Sequence, residues 1–153
     1  MEDEQLNHEI ELYMSEAFHT LLEHEVNRSR RYKNPITLLH LALEIQPDTP
    51  QARYSAELFA INLLNSHLRD TDIPSKSGSE FLVLMPATDE QGARIVSDRL
   101  EALFHSEHSD FDKVSFQLSA FIGMATLPGD RSITSKDLLN NASLALQHAR
   151  TKR

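Results

Sequence analysis

The sequence predicts an α+β layer sandwich, a βαββαβ unit of ferredoxin-like order with an extra N-terminal helix. Three observations predict it. Three apolar runs, "ITLLHLAL", "EFLVLMP" and "VSFQLSAFIGMAT", are bounded by turn-forming residues and read as buried strands. The segments around them repeat apolar residues at intervals of three and four, the period of an amphipathic helix. A chain of 153 residues is long enough to bury one such core.

The elements follow in order. Neither Gly nor Pro occurs before Pro35, and Leu6, Ile10, Tyr13, Ala17, Leu21 and His24 recur at helical spacing. One helix ending at Pro35 is therefore expected. Residues 36–43 form the first strand. "QPDTP" is a loop in which Asp48 or Thr49 caps the next helix and Pro50 enters its first turn. That helix buries Ala52, Ala56, Phe59 and Leu63 and ends near Arg69. "DIPSK" is a weak strand, paired in a hairpin with the strong strand at residues 80–86. Thr88 and Gln91 stand in capping-box spacing before a helix whose face is Ala93, Val96, Leu100 and Leu103. Residues 114–126 are a long strand, where Gly123 marks a bulge or the close approach of another backbone. Thr134 and Asp137 open the last helix, with Leu138, Ala142, Ala145 and Ala149 on its face.

Composition bounds the function. Fifteen basic residues against 23 acidic ones give a net charge of −8. This argues against binding nucleic acid through a broad basic surface. No apolar run approaches membrane-spanning length. The acidic "MEDEQLNHE" is unlike a signal peptide, so a cytoplasmic location is expected. No cysteine is present, which removes thiolate metal ligands and cysteine nucleophiles. The clusters "NRSRRYK" and "ARTKR" read as solvated helix ends. His105 and His108 stand three apart at a helix end beside Glu107, but a zinc site needs a third ligand, and none is near in sequence. His8, His19, His24, His67 and His148 read as exposed, and His40 as a sheet histidine with a hydrogen bond.

Several patches, in order and at compatible spacing, resemble the GGDEF domains of the diguanylate cyclase family. "RDTDIPSKSGSEFLVLMPATD" is similar to the family's Arg-x-x-Asp, its Gly-Gly-Asp/Glu-Glu-Phe hairpin and the strand that follows. "LSAFIGMATLPGD" resembles the strand carrying Ser-Ile-Gly-Val-Ala, and "LLNNASLALQHAR" resembles the closing helix. "NRSRRYKNPITLLHLAL" matches the end of the first helix and the first strand. The similarity runs from about Ala17 to Arg150. It implies the cyclase palm-type version of the predicted fold, and a chemistry in which two facing domains join two GTP molecules into cyclic di-GMP. Carboxylates hold Mg²⁺ on each triphosphate, because magnesium takes hard oxygen ligands.

The resemblance also implies a degenerate active site. The family's metal-binding Asp-x-Asp falls on Ala42-Leu43-Glu44, and the signature on Ser77, Gly78, Ser79, Glu80 and Phe81, with Ser79 in place of the metal-binding acid. The guanine-recognition stretch has no counterpart in "IQPDTPQARYSAEL". Ser143, Gln147 and Arg150 replace Asp, Tyr and Lys, and Phe121 replaces a serine. Loss of even one neutral transition-state donor costs about 3–4 kcal/mol. No catalytic residue and no metal site are therefore expected. The Arg-x-x-Asp inhibitory site survives as Arg69 and Asp72, and Arg99 lies where the family often supplies a second arginine. These three are the candidate cyclic di-GMP ligands. A guanidinium grips phosphate or a guanine edge, and a carboxylate accepts guanine N–H donors. The bland alternative is a solvated Arg–Asp pair of little energetic worth.

At the N-terminus the family's wide turn, Asp-x-Leu-Thr-Gly-Leu-x-Asn, falls on residues 7–14, where its glycine is Glu11. Nothing there breaks a helix. A continuous helix from about Glu4 to about Tyr32 is expected, with residues 1–14 an extension of a domain at 15–153. The apolar stripe Leu6, Ile10 and Tyr13 calls for a coiled-coil-like homodimer or a protein partner. Three classes stay open. The first is a non-catalytic signalling module, acting through protein contacts or dimerisation, with cyclic di-GMP as its implied ligand and no cofactor. The second is a divergent nucleotide cyclase using GTP and Mg²⁺ through Glu80 and Glu44. The third is a purely structural interaction domain. None involves nucleic acid or a membrane.

Overall fold

The structure, a computed structural model, describes the backbone of residues 2–109, 115–129 and 133–152. Within those ranges it describes side chains from residue 16 onward, except those of residues 106–109. The elements are α1 (Glu2–Tyr32), β1 (Ile36–Gln46), α2 (Pro50–His67), β2 (Ile73–Ser77) and β3 (Glu80–Pro86), followed by α3 (Glu90–Phe104), β4 (Ser106–Ser109), β5 (Ser115–Leu127) and α4 (Ser135–Thr151).

The sheet is antiparallel throughout, in the order β2-β3-β1-β5-β4. Without β4 this is the split βαβ arrangement expected of the βαββαβ order. The apolar run of β1 is explained by its central place, since alternate residues are buried against helices on opposite faces. Leu39, Leu41 and Ile45 pack with Ala56, Ala60 and Leu64 of α2 and with Leu100 and Phe104 of α3. Ile36 and Leu38 pack instead with Phe18, Leu22 and Val26 of α1 and with Leu138 and Ala142 of α4. The β1–β5 pairing runs without a slip from Ile36↔Leu127 to Gln46↔Gln117, so Gly123 is not a bulge. It is the close approach: a Cβ there would lie 2.2 Å from the backbone nitrogen of Leu146 and 2.5 Å from the carbonyl oxygen of Ala142.

Several local expectations need correction. The helix ending α1 is continuous, as expected from the replacement of glycine by Glu11, but its buried face is Phe18, Leu22 and Val26. Leu21 and His24 are exposed and Ala17 is half-buried, so the true stripe is offset by one residue. Leu6, Ile10 and Tyr13 lie outside the described side chains. In α3 the buried residue of the last turn is Phe104, whereas Leu103 is exposed. In α4 the deepest residues are Leu138, Ala142 and Leu146, with Ala145 and Ala149 half-buried. Finally, α3 stops at Phe104 and residues 106–109 form an edge strand. The helical spacing that joined His105 and His108 as a ligand pair therefore does not exist.

Candidate functional site

The signature hairpin is tight. Ser77 pairs with Glu80, leaving Gly78 and Ser79 as the two turn residues. Gly78 has φ 64, as the first position of a type II′ turn requires. The register then sets the neighbours of Glu80. It stands opposite Ala42 on β1, which in turn stands opposite Phe121 on β5. His40, two residues back along β1, shares that face, and its Nε2–H donates to Glu80 Oε1 at 2.7 Å. Arg150 reaches down from α4, its Nη2 3.6 Å from Glu80 Oε2. Glu80 is thus engaged by two basic side chains. His40 Nδ1 is buried with no hydrogen-bond partner among the described residues. Phe81, one residue on, faces the opposite way into the α2–α3 core.

The second candidate site is the turn between α2 and β2. The α2 helix ends at His67, and the chain turns back so that Asp72 N–H donates to the Arg69 carbonyl oxygen at 3.0 Å. The Asp72 side chain is only 1% exposed. Its Oδ2 accepts from the Arg69 backbone N–H at 3.0 Å and from Nε–H at 3.5 Å, and its Oδ1 accepts from Nη2 at 3.4 Å. Asp72 therefore closes the turn and grips one edge of the guanidinium. Arg69 Nη2 also donates to the hydroxyl of Thr88, just beyond β3. The Arg69 side chain stays 56% exposed. Of its five N–H donors, the two on Nη1 have no acceptor among the described residues.

Arg99 of α3 donates from Nη2 to the His67 carbonyl oxygen at 2.8 Å, which brings it to the same helix end as Arg69. The structure thus groups Arg69, Asp72 and Arg99 around the α2 C-terminus. Ser77 through Glu80 lie at the other end of β2, by the hairpin turn. A cavity of about 230 Å³ borders Arg69 and Thr71, walled by Arg28 and Ser29 near the end of α1 and by Asn34 just beyond it. Sequence reasoning missed two participants. Thr88 was expected to cap α3, but Asp89 is the cap, accepting from Gly92 N–H at 2.8 Å. The hydroxyl of Thr88 is already committed to Arg69 and to the Pro86 carbonyl oxygen at 3.0 Å. The pairing of Arg150 with Glu80 carried no sequence signal at all.

This fold, with the hairpin between its second and third strands, is that of a nucleotide-cyclase palm. The family model for "Diguanylate cyclase, GGDEF domain" matches residues 57–153, more than half of the chain. The chain belongs to the GGDEF family. Among solved structures it resembles the FimX GGDEF domain from Pseudomonas aeruginosa, with 18% identity, TM-score 0.77, and coverage of 90% of this chain and 88% of that one. The diguanylate cyclase SiaD from the same organism, solved in complex with its activator SiaC, is 19% identical with TM-score 0.80. That match covers 99% of this chain but 65% of SiaD. The GGDEF domain of DgcB from Caulobacter crescentus, solved in complex with c-di-GMP, is 11% identical with TM-score 0.78, covering 90% of this chain and 84% of that one. At these identities the likeness is one of fold. No curated protein sequence matches the chain. Among the described residues no helix is long and apolar enough to cross a membrane.

Proposed function

We propose that this GGDEF domain is a non-catalytic signalling module of the cytoplasm that recognises cyclic di-GMP at the Arg69–Asp72 turn and acts through protein contacts, including self-association through α1. The observation that carries the reading is the hairpin end. Ala42 stands where a metal-binding carboxylate is needed, Ser79 occupies the turn, and Glu80 is engaged by His40 and Arg150. A magnesium triphosphate complex needs oxygen ligands free to enter a near-octahedral shell, and a single carboxylate paired with two bases supplies few. No cofactor belongs to this function.

At the ligand turn, Asp72 orients Arg69 and leaves the Nη1 edge to meet a phosphate oxygen or a guanine carbonyl. Arg99 adds a second cation at the same helix end. DgcB, solved with c-di-GMP, shares the fold. The cavity beside Arg69 borrows its walls from the end of α1, so a ligand there would touch the helix that leads away from the domain.

Calorimetry of the full chain with cyclic di-GMP, beside an assay of GTP turnover with Mg²⁺ or Mn²⁺, tests the proposal. Micromolar or tighter binding, abolished by Arg69→Ala, with no cyclic di-GMP formed from GTP, is the expected result. Product above a no-protein control, lost in Glu80→Ala, would instead establish the divergent cyclase. One observation favours that second reading: Glu80 stands opposite Ala42 and Glu44 two residues further along β1 on the same face of the sheet, a separated carboxylate pair that would have to hold Mg²⁺. Absence of any nucleotide binding would leave a structural interaction domain.

A further inference from the structure

Beyond β3 the chain makes a turn that local sequence does not favour. Ala87 has φ 51, in the left-handed region where a Cβ crowds the following carbonyl. Backbone held there persists only where its surroundings over-determine it, and such positions gather at ligand sites. Hydrogen bonds hold this one on both sides. Thr88 Oγ1 donates to the Pro86 carbonyl oxygen at 3.0 Å, spanning Ala87. The hydroxyl of Thr37, a fully buried residue of β1, donates to the Thr88 carbonyl oxygen at 2.9 Å. Thr37 has only one hydroxyl proton, so in the 2.8 Å contact with Thr126 on β5 it is Thr126 that donates. A chain of hydroxyls with a fixed direction therefore runs from β5 through β1 to the Thr88 carbonyl.

The outcome of this construction is a buried hydroxyl that, with its proton given to Pro86, accepts from Arg69 Nη2 on a lone pair. Asp72 alone holds the guanidinium through two long contacts, 3.5 Å from Nε and 3.4 Å from Nη2, which restrain its plane weakly. The second anchor, on Nη2, fixes the plane. We propose that Thr88 is a positioning residue of the ligand turn, holding the Arg69 guanidinium so that its two Nη1 hydrogens face outward at a set angle. The proposal rests on the reading of Arg69 as a cyclic di-GMP ligand and adds to it what makes that arginine selective. A fixed plane sets the directions in which the two diverging Nη1 hydrogens meet a phosphate oxygen or a guanine carbonyl, whereas a loosely held guanidinium is a general surface cation.

The test is calorimetry of cyclic di-GMP binding to the full chain as wild type, Thr88→Val and Thr88→Ser, with side-chain ¹⁵N NMR of Arg69 in the ligand-free proteins. Thr88→Val keeps the shape and removes the hydroxyl. Binding about tenfold weaker is expected, equivalent to about 1.4 kcal/mol, together with loss of the resolved Arg69 Nε–H signal. Thr88→Ser keeps the hydroxyl and should bind within about twofold of wild type. Should Thr88→Val fail to fold, Thr88→Ala removes the same hydroxyl without a new methyl in the turn, and the same loss is expected. Wild-type affinity in the hydroxyl-free variant, or equal loss in Thr88→Ser, overturns the positioning role while leaving the ligand site standing. No binding by the wild-type chain is a different result, and it removes the ligand site itself together with any positioning of it.

Discussion

At the scale of single residues, the molecule is least forgiving where backbones touch. Gly123 lies under α4 with no room for a methyl: the atoms a Cβ would strike belong to the backbone of Leu146 and Ala142, not to side chains that could turn aside. Gly123→Ala should therefore lift α4 and destabilise the domain by about 1–3 kcal/mol, measured by urea denaturation. A variant of unchanged stability would mean that α4 is seated elsewhere. The sequence signalled this glycine as a bulge or a close approach, because both exploit a missing side chain, and only the unbroken β1–β5 register separates them. Arg69 and Asp72 were legible as a pair from their spacing. The depth of Asp72 was not, since it depends on a turn folding back onto the sheet.

At the scale of elements, the strands were legible and the helix faces less so. β1 and β3 announce themselves because a strand covered by helices on both sides has almost no polar positions to blur it. The α1 stripe was misplaced by one residue because Ala17, Leu21 and His24 fit the helical period as well as Phe18, Leu22 and Val26 do. Only the sheet decides which stripe docks. β4 was missed because "SEHS" has neither length nor apolar alternation. Caps fared well where a hydroxyl had no competing partner, as at Thr134. There the Asp137 carboxylate accepts from the Thr134 backbone N–H at 3.1 Å and from its hydroxyl at 3.0 Å. The backbone bond first, and then the hydroxyl, hold its pKa below the usual aspartate value. A lowered folded-state pKa stabilises the fold above the unfolded value, and that contribution is lost as pH falls through the folded one. Asp137→Ala should thus be less stable than wild type at neutral pH, with the gap closing in acid. A gap constant from neutral to strongly acidic pH would show that the carboxylate's charge has no part in the cap.

At the scale of the whole molecule, two apolar layers share one sheet, and β1 belongs to both. Leu39 is fully buried between β1 and the α2–α3 layer. Leu39→Ala should cost about 2–5 kcal/mol in global unfolding, with both layers lost in one transition. Two separate transitions by fluorescence and circular dichroism would contradict a shared core. Helix α1 extends from Glu2, well before Phe18, its first buried anchor among the described side chains. If its leading segment self-associates, sedimentation should show a dimer that Leu6→Asp with Ile10→Asp converts to monomer, and a wild-type monomer at high concentration would dispose of the idea.

The layout of the sheet bears on how copies of this chain could meet. Its central strand, β1, is interior, while its rims are β2, five residues with a proline at Pro74, and β4, four residues that pair with only residues 115–118 of the long strand β5. A strand arriving at the β2 rim would find a short ladder, and at Pro74 a position with no N–H to offer. Templated growth, strand upon strand into fibrils, is thereby discouraged at that margin.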